Sequence, residues 1–462
     1  MKYISTRGQA EIKSFNDVVT SGLASDGGLY CPVSMPFFEI DVIKSWKGLP
    51  YHELAFRVIK PFISGEIPDE DLKKIIKDGT KNFVVDNVTR LVKLEEDYHI
   101  LELFHGPTLA FKDIALQFLG KLQDYILTKT NQDIVIIGAT SGDTGSAAIE
   151  GVKDCKHITL FMLHPDDKIS TIQRHQMTTV LNPNIHNIAV STYFDDCQDM
   201  VKEMFKHPEF MKGIRLSAVN SINWARIVAQ IVYYFQTVLA LTGAEEPVSF
   251  SVPSGNLGDV FGGYLAKKMG LPVDLLIVST NENDILHRFF SKNDYSKQSV
   301  KSTVAPSMDI QISSNFERLM FFEHNFDGNL INKKMLKFRD EGHLEVDDDT
   351  YKRITSTFKS ACANDADIRA EIERVYKKYN YIVCPHTATG TIAAEKYRVK
   401  GRKMVVLATA HPSKFPDVVT ESINVHPDLP PHLEGLLSKP EKYLKIPNDI
   451  DLIKNYIYQN SL

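Results

Sequence analysis

The chain has 462 residues, and 53 Lys and Arg stand against 58 Asp and Glu, a formal net charge of −5. That balance offers no positive field to a phosphate backbone, which excludes a strongly basic nucleic-acid binder. With 43% hydrophobic residues the chain is not a disordered polyanion, and its length sets an expectation of two to three domains. The five cysteines, at 31, 155, 197, 362 and 384, form no CxxC pair. A disulfide framework or a thiolate zinc site is therefore not expected. The opening MKYISTRGQAEIKSF has no apolar signal-peptide core, and the apolar stretch 227–241 is interrupted by Gln230 and Gln236. It reads as too short and too polar to cross a bilayer, so a cytoplasmic protein is expected.

In chain order, residues 1–100 are mixed, with Gly27-Gly28 and helical patterns at 52–60 and 69–78. They read as an N-terminal subdomain. Short β-branched runs follow at 134–138, 158–163, 248–252, 275–278, 381–384 and 404–407, alternating with helical patterns. Such runs predict buried parallel strands covered by helices, an α/β fold. The clearest helix covers 222–241, with apolar residues at three- and four-residue steps. Residues 285–365 are polar and weakly patterned and read as a helical insertion or cover. The tail from Pro427 ends in a short helix pattern.

Five segments carry chemistry. In His105-Gly106-Pro107-Thr108-Leu109-Ala110-Phe111-Lys112-Asp113, Lys112 sits between apolar Phe111 and a helix start. An ammonium there is disfavoured, which makes a nucleophilic amine. The alternative is an ordinary surface lysine. It is not a Walker lysine, because Phe111 stands where the second glycine belongs. The run Gly138 to Ala148 (GATSGDTGSAA) follows a strand and opens a helix, with hydroxyls at Thr140, Ser141 and Thr144. It reads as an anion site or as a plain strand–helix turn capped by Asp143. Pro253-Ser254-Gly255-Asn256-Leu257-Gly258-Asp259 repeats that logic. Asn220-Ser221-Ile222-Asn223-Trp224-Ala225-Arg226 opens the long helix, where Ser221 or Asn220 could cap and Arg226 could grip a phosphate. Thr409 lies in Ala408 to Phe415, at a strand end. His386 and His411 read as structural, since no Ser/His/Asp order or HExxH helix accompanies them.

Together and in order, HGPTLAFKD, GATSGDTGSAA, NSINWARI, VPSGNLGD, CPHTATG and TAHPSKF resemble pyridoxal-phosphate enzymes of the tryptophan-synthase β type, and within them the threonine synthases. The opening SFNDVVTSGLASDGGLYCP is similar as well, so the resemblance runs from residue 14 to about 420. It implies fold type II, two parallel-sheet domains flanking a cleft, plus the N-terminal subdomain. The divisions expected are 1–100, then 101–130 with 217–462 as the large cofactor domain, and 131–216 as a small mobile domain. The resemblance implies that Lys112 holds pyridoxal 5'-phosphate covalently and is the catalytic residue. Phe111 would pack on the ring, Gly255, Asn256, Leu257, Gly258 and Asp259 would cradle its phosphate, and Thr409 would face the pyridine nitrogen. Asp143 would lie near the ring hydroxyl, where an ionised carboxylate would be repelled, so it is expected protonated or turned away. Thr140, Ser141 and Thr144, with Asn220, Ser221 and Arg226, would bind the substrate. The implied activity is a carbon–oxygen lyase acting on phosphates: O-phospho-L-homoserine and water give L-threonine and phosphate by γ-elimination and β-addition. Such an enzyme would work as a monomer or homodimer on a small molecule, with no metal, nucleic acid or membrane. The competing readings are a serine/threonine dehydratase of the same fold and a non-catalytic, cofactor-binding paralogue.

Overall fold

The computed structural model describes residues 1–461 except 168, 207–214 and 218–221. Two sheets organise it. The larger has six strands in the order Phe358–Cys362, Val273–Thr280, Val248–Pro253, Lys403–Ala408, Tyr98–Glu102 and Arg90–Glu95. All its pairs are parallel except the outer hairpin of 90–95 with 98–102. The smaller has five parallel strands in the order Leu444–Ile446, Ile185–Val190, Ile158–Pro165, Ile134–Ala139 and Arg215–Ser217. The central strand Val248–Pro253 is buried at every position, as expected of a parallel strand covered on both faces.

The helices Lys112–Thr130 and Asp143–Val152 lie against each other. Gly120 and Gly151 allow the approach, because a Cβ on Gly120 would strike the Gly151 carbonyl. The helix Trp224–Thr242 fills the core, with fifteen of its 19 residues buried. It is longer than the apolar stretch read from sequence, and by length and composition it could cross a membrane. Its burial on all sides makes it a core helix instead. N-terminal to the larger sheet, Tyr3–Ser5 pairs antiparallel with Tyr30–Pro32, and the helices Phe15–Ser21, Tyr51–Ile63 and Asp69–Thr80 pack behind.

Four expectations change. Residues 381–384 form no strand. The run is apolar, but it pairs with no strand of the larger sheet; it leads directly into the helix Pro385–Tyr397, which Cys384 caps. The hairpin 90–102, whose first strand falls inside 1–100, belongs to the larger sheet. Residues 444–446, expected in the large domain, pair instead with Ile188–Val190 in the smaller sheet. The segment 285–365 is more than a cover, since Phe358–Cys362 is an edge strand of the larger sheet.

Candidate functional site

The chemistry-bearing segments sit at the carboxyl ends of parallel strands, where open α/β sheets bind ligands. Lys112 begins its 19-residue helix. Asp113 fixes the turn before it, accepting from the Thr108 amide (2.8 Å) and hydroxyl (2.6 Å). Residues 409–411 run antiparallel to 109–111. The Phe111 amide donates to the Thr409 carbonyl (2.8 Å) and the His411 amide to the Leu109 carbonyl (3.0 Å). This ladder sets buried Thr409 beside the lysine segment. The Phe111 ring centre lies 5.9 Å from Lys112 Nζ.

The smaller sheet contributes the turn after Ile134–Ala139. Thr140 Oγ1 accepts from the amides of Gly142 (2.9 Å) and Gly145 (2.8 Å), so its hydroxyl oxygen shapes the loop. Gly142 has φ +133°, and a Cβ there would strike the Gln173 carboxamide. Gly142, not Asp143, is the residue that caps the helix. Ser141 and Thr144 are half-buried beside it.

Asp143 becomes the centre of the site. Oδ1 meets Lys414 Nζ at 2.8 Å and accepts from Gln173 Nε2 at 2.9 Å. Oδ2 accepts from Ser307 Oγ at 3.0 Å and faces Lys112 Nζ at 3.8 Å. Burial alone would raise its pKa, but Lys414 and Lys112 outweigh burial and hold it well below the usual carboxylate range. Asp143 is therefore ionised and turned into the site, against the expectation of a protonated or averted group. The reason is a second lysine: Lys414, fully buried, also donates to the Thr108 carbonyl at 2.6 Å.

Burial brings Lys112 down to about 8; Asp143 pulls it back up, while Lys414 and Arg226 push it lower. Arg226 is itself buried, which brings it down to about 10. Its field reaches the lysine from the helix Trp224–Thr242, which Asn223 caps through the Ala225 amide at 3.0 Å. Asn220 and Ser221, the predicted caps and substrate ligands, lie outside the described residues. His386 is buried and pushed down to about 4, and Nε2 accepts from the Ser307 amide at 3.0 Å. His411 is pushed down to about 4 by burial and caps a short turn through the Ser413 amide, a structural role as expected.

The second loop lies at the end of Val248–Pro253. Leu257 takes φ +57° and Gly258 opens the helix Gly258–Lys268. Its first amides have no acceptor within the helix. The loop is braced from outside: the Asn256 carbonyl accepts from Asn315 N (3.2 Å) and Nδ2 (3.0 Å), and Asn256 Oδ1 accepts from Ser314 Oγ (3.2 Å). The Asp259 side chain turns away from the loop, against the tyrosine hydroxyls of Tyr233 and, at 3.2 Å, Tyr234.

Sequence reasoning missed Lys414 and Ser307. Lys414 was visible inside TAHPSKF, and the apolar Phe415 after it is the one local hint of burial.

Family comparisons agree with this geometry. Models described as "Threonine synthase N terminus", "Pyridoxal-phosphate dependent enzyme" and "Threonine synthase, C-terminal" match residues 2–79, 86–327 and 387–457. A threonine synthase of Pseudomonas aeruginosa is 50% identical, over 100% of this chain and 98% of its own. The chain belongs to the threonine synthase family. It is a pyridoxal-phosphate-dependent enzyme, a lyase of threonine biosynthesis with a small-molecule substrate. A pyridoxal-phosphate-bound threonine synthase from Brucella melitensis superposes with a TM-score of 0.97 at 43% identity, over 100% of this chain and 99% of that one. The yeast threonine synthase gives 0.94 at 40%, over 100% and 98%.

Proposed function

We propose that the chain converts O-phospho-L-homoserine and water to L-threonine and phosphate, with Lys112 as the residue that both holds the cofactor and moves protons. The carrying observation is a buried lysine amine brought to about 8, with an ionised carboxylate 3.8 Å away. Such an amine exchanges protons close to neutral pH. The residues present fit pyridoxal phosphate: a nucleophilic lysine, an uncapped helix N-terminus at Gly258, and a neutral hydroxyl at Thr409 beside the lysine segment.

In this reading the amides of Gly255, Asn256, Leu257, Gly258 and Asp259 hold the cofactor phosphate, Phe111 packs on the ring and Thr409 meets its nitrogen. Once bound, the cofactor supplies an electron sink for charge at the substrate carbons. Lys112 Nζ removes the Cα proton and later returns it. Asp143 steadies the ammonium form between these transfers, and Lys414 keeps Asp143 charged. Ser141 and Thr144 meet the substrate carboxylate, on the loop that Thr140 shapes. Arg226, with Asn220 and Ser221, holds the substrate phosphate and stabilises its charge as it leaves Cγ. With this goes a cytoplasmic enzyme, monomeric or homodimeric.

The test is direct. Purified protein should absorb in the visible range, borohydride should fix the cofactor on the Lys112 peptide, and O-phosphohomoserine should yield equal phosphate and threonine. Cofactor without turnover would favour a non-catalytic paralogue. Keto-acid and ammonia from threonine would favour a dehydratase. Arg226→Ala should raise KM for the phosphorylated substrate by about 10²-fold, as for loss of a charged hydrogen-bonding partner; an unchanged kcat/KM removes Arg226 from the phosphate site.

A further inference from the structure

Arg318 lies in the helix Phe316–Glu323, and its side chain is fully buried. Its guanidinium donates from Nη1 to Asn315 Oδ1 (2.7 Å), and from Nη2 to the carbonyls of Ile222 (2.5 Å) and Tyr30 (2.9 Å). Nε reaches the Tyr30 carbonyl as well, at 3.3 Å. These acceptors are neutral oxygens. The group's flat face lies against the Trp224 ring, 5.4 Å from its centre. The neighbouring carboxylate of Glu317 is directed to the residues just after the N-terminal strand, bonding Arg7 (3.1 Å) and Thr6 (2.5 Å).

A buried guanidinium is a poor way to fill a core, because desolvation of the charge is expensive and an apolar residue fills the space more cheaply. What it offers is geometry: a rigid planar fork can hold several acceptors at fixed angles. Here the acceptors lie on three different segments. Asn315 grips the Asn256 carbonyl twice, at the turn before Gly258. Ile222 immediately precedes Asn223, whose carbonyl accepts from the Arg226 amide at 3.1 Å. Tyr30 begins the strand Tyr30–Pro32 that pairs with Tyr3–Ser5 at the N-terminus. The two helices also pack against each other, and Ile227 Cδ1 lies 3.6 Å from where a Cβ on Gly258 would stand.

We propose that Arg318 is a positioning residue that fixes the loop for the cofactor phosphate and the helix start for the substrate phosphate relative to one another. This rests on the phosphate assignments proposed above. The reacting carbon must sit over the cofactor while its phosphate sits in the second site. The distance between the two anion sites is then a specificity ruler, set by one fork whose arms reach Asn315 and Ile222. Neither site touches Arg318, so it acts through both without contacting either ligand.

The experiment uses the full-length protein with Arg318→Lys, which keeps a charge but loses the fork. Three quantities are read: the Kd of the apoenzyme for pyridoxal phosphate from the visible absorbance, the Ki of inorganic phosphate on the holoenzyme, and the melting temperature. The proposal predicts that Kd and Ki both rise about tenfold, the usual penalty for losing support behind a binding group, while kcat at saturation falls less than about threefold. A control, Phe235→Leu, sits in the buried middle of the helix Trp224–Thr242. It should lower the melting temperature and leave both constants alone. In the Arg226→Ala background the Arg318→Lys effect on Ki should vanish while its effect on Kd persists, since coupled residues are not additive. A loss of melting temperature alone, or changes no larger than the control's, overturns the proposal, as do additive effects on Ki. If Arg318→Lys does not fold, Trp224→Phe, which removes part of the face under the guanidinium, should raise both constants about threefold; no movement in either overturns it. If the wild type makes no threonine, the activity reading fails by itself, and the cofactor Kd still decides the role of Arg318.

Discussion

Asp143 and Asp259 occupy the same kind of place and are shifted in opposite directions. Each lies in the first turn of a helix that follows a parallel strand and a loop of small residues, and each is buried. Asp143 is surrounded by Lys414, Lys112, Gln173 and Ser307, and it is ionised. Asp259 is packed against Tyr233 and Tyr234, and burial raises it to about 7 even though both hydroxyls favour the charged form. The sequence signature is one motif, twice. The charge state is decided by the elements packed against it, lysines from 112 and 414 in one case and tyrosines from the core helix in the other. The first loop thus carries its own anion and serves proton chemistry. The second raises the pKa of its own carboxyl and turns the side chain away toward two tyrosines, which leaves the field of the helix end to an incoming phosphate.

The sharpest way to separate the two loops is Lys112→Ala. Turnover should fall by about 10⁴-fold or more, because covalent attachment and proton transfer are lost together. The second loop should still bind pyridoxal phosphate, now reversibly and without a borohydride-stable product. Normal turnover would overturn the assignment. Complete loss of cofactor binding would show that the loops do not work independently.

Asp143→Asn comes next, with turnover down about 10²-fold, in the range of a general acid–base partner. Asp143 raises the Lys112 pKa, so its removal lets the amine fall below about 8. The acid limb of the pH–rate profile should move to lower pH. A limb that stays in place would disconnect the carboxylate from the amine.

The fold class and the lysine segment were legible in the sequence because both are local. Period, glycine loops and short motifs are contiguous in the chain. Lys414 was not, since a buried lysine and a surface lysine look alike in a string. Its partner Thr108 is brought to it by the pairing of 409–411 with 109–111, and Asp143 comes from the helix that follows strand Ile134–Ala139 of the other sheet. Ser307 arrives from a polar stretch with no pattern of its own. Residues 381–384 failed as a strand for a related reason: apolar character says that a segment is buried, not that it pairs in a sheet. The strand Leu444–Ile446 was hidden because an edge strand with two exposed residues leaves almost no hydrophobic signature.

Asp259→Asn tests the other side of the comparison through stability. A carboxyl raised from 3.8 to about 7 in the folded state contributes stability that is fully present below about pH 4 and is lost as pH rises to about 7. The wild type should lose up to about 4 kcal/mol relative to Asp259→Asn across that window, at about 1.4 kcal/mol per pH unit. Urea midpoints of the two proteins at pH 4 and pH 7 measure it. Parallel pH dependences would mean that Asp259 is ionised like Asp143, and the contrast between the loops would fail.

Ser307→Ala should have the smallest effect, and its direction is the informative part. The hydroxyl donates to Asp143 Oδ2, the oxygen that faces Lys112, while the Ser307 amide on His386 is untouched by the change. One neutral donor among two lysines and an amide contributes modestly, so kcat/KM should fall about two- to fivefold. With that donor gone, the negative charge on Oδ2 is answered more by Lys112. The ammonium is then favoured, and the acid limb should move slightly to higher pH, opposite to Asp143→Asn. A shift in the same direction as Asp143→Asn would mean that Ser307 supports the amine in some other way than by sharing its carboxylate.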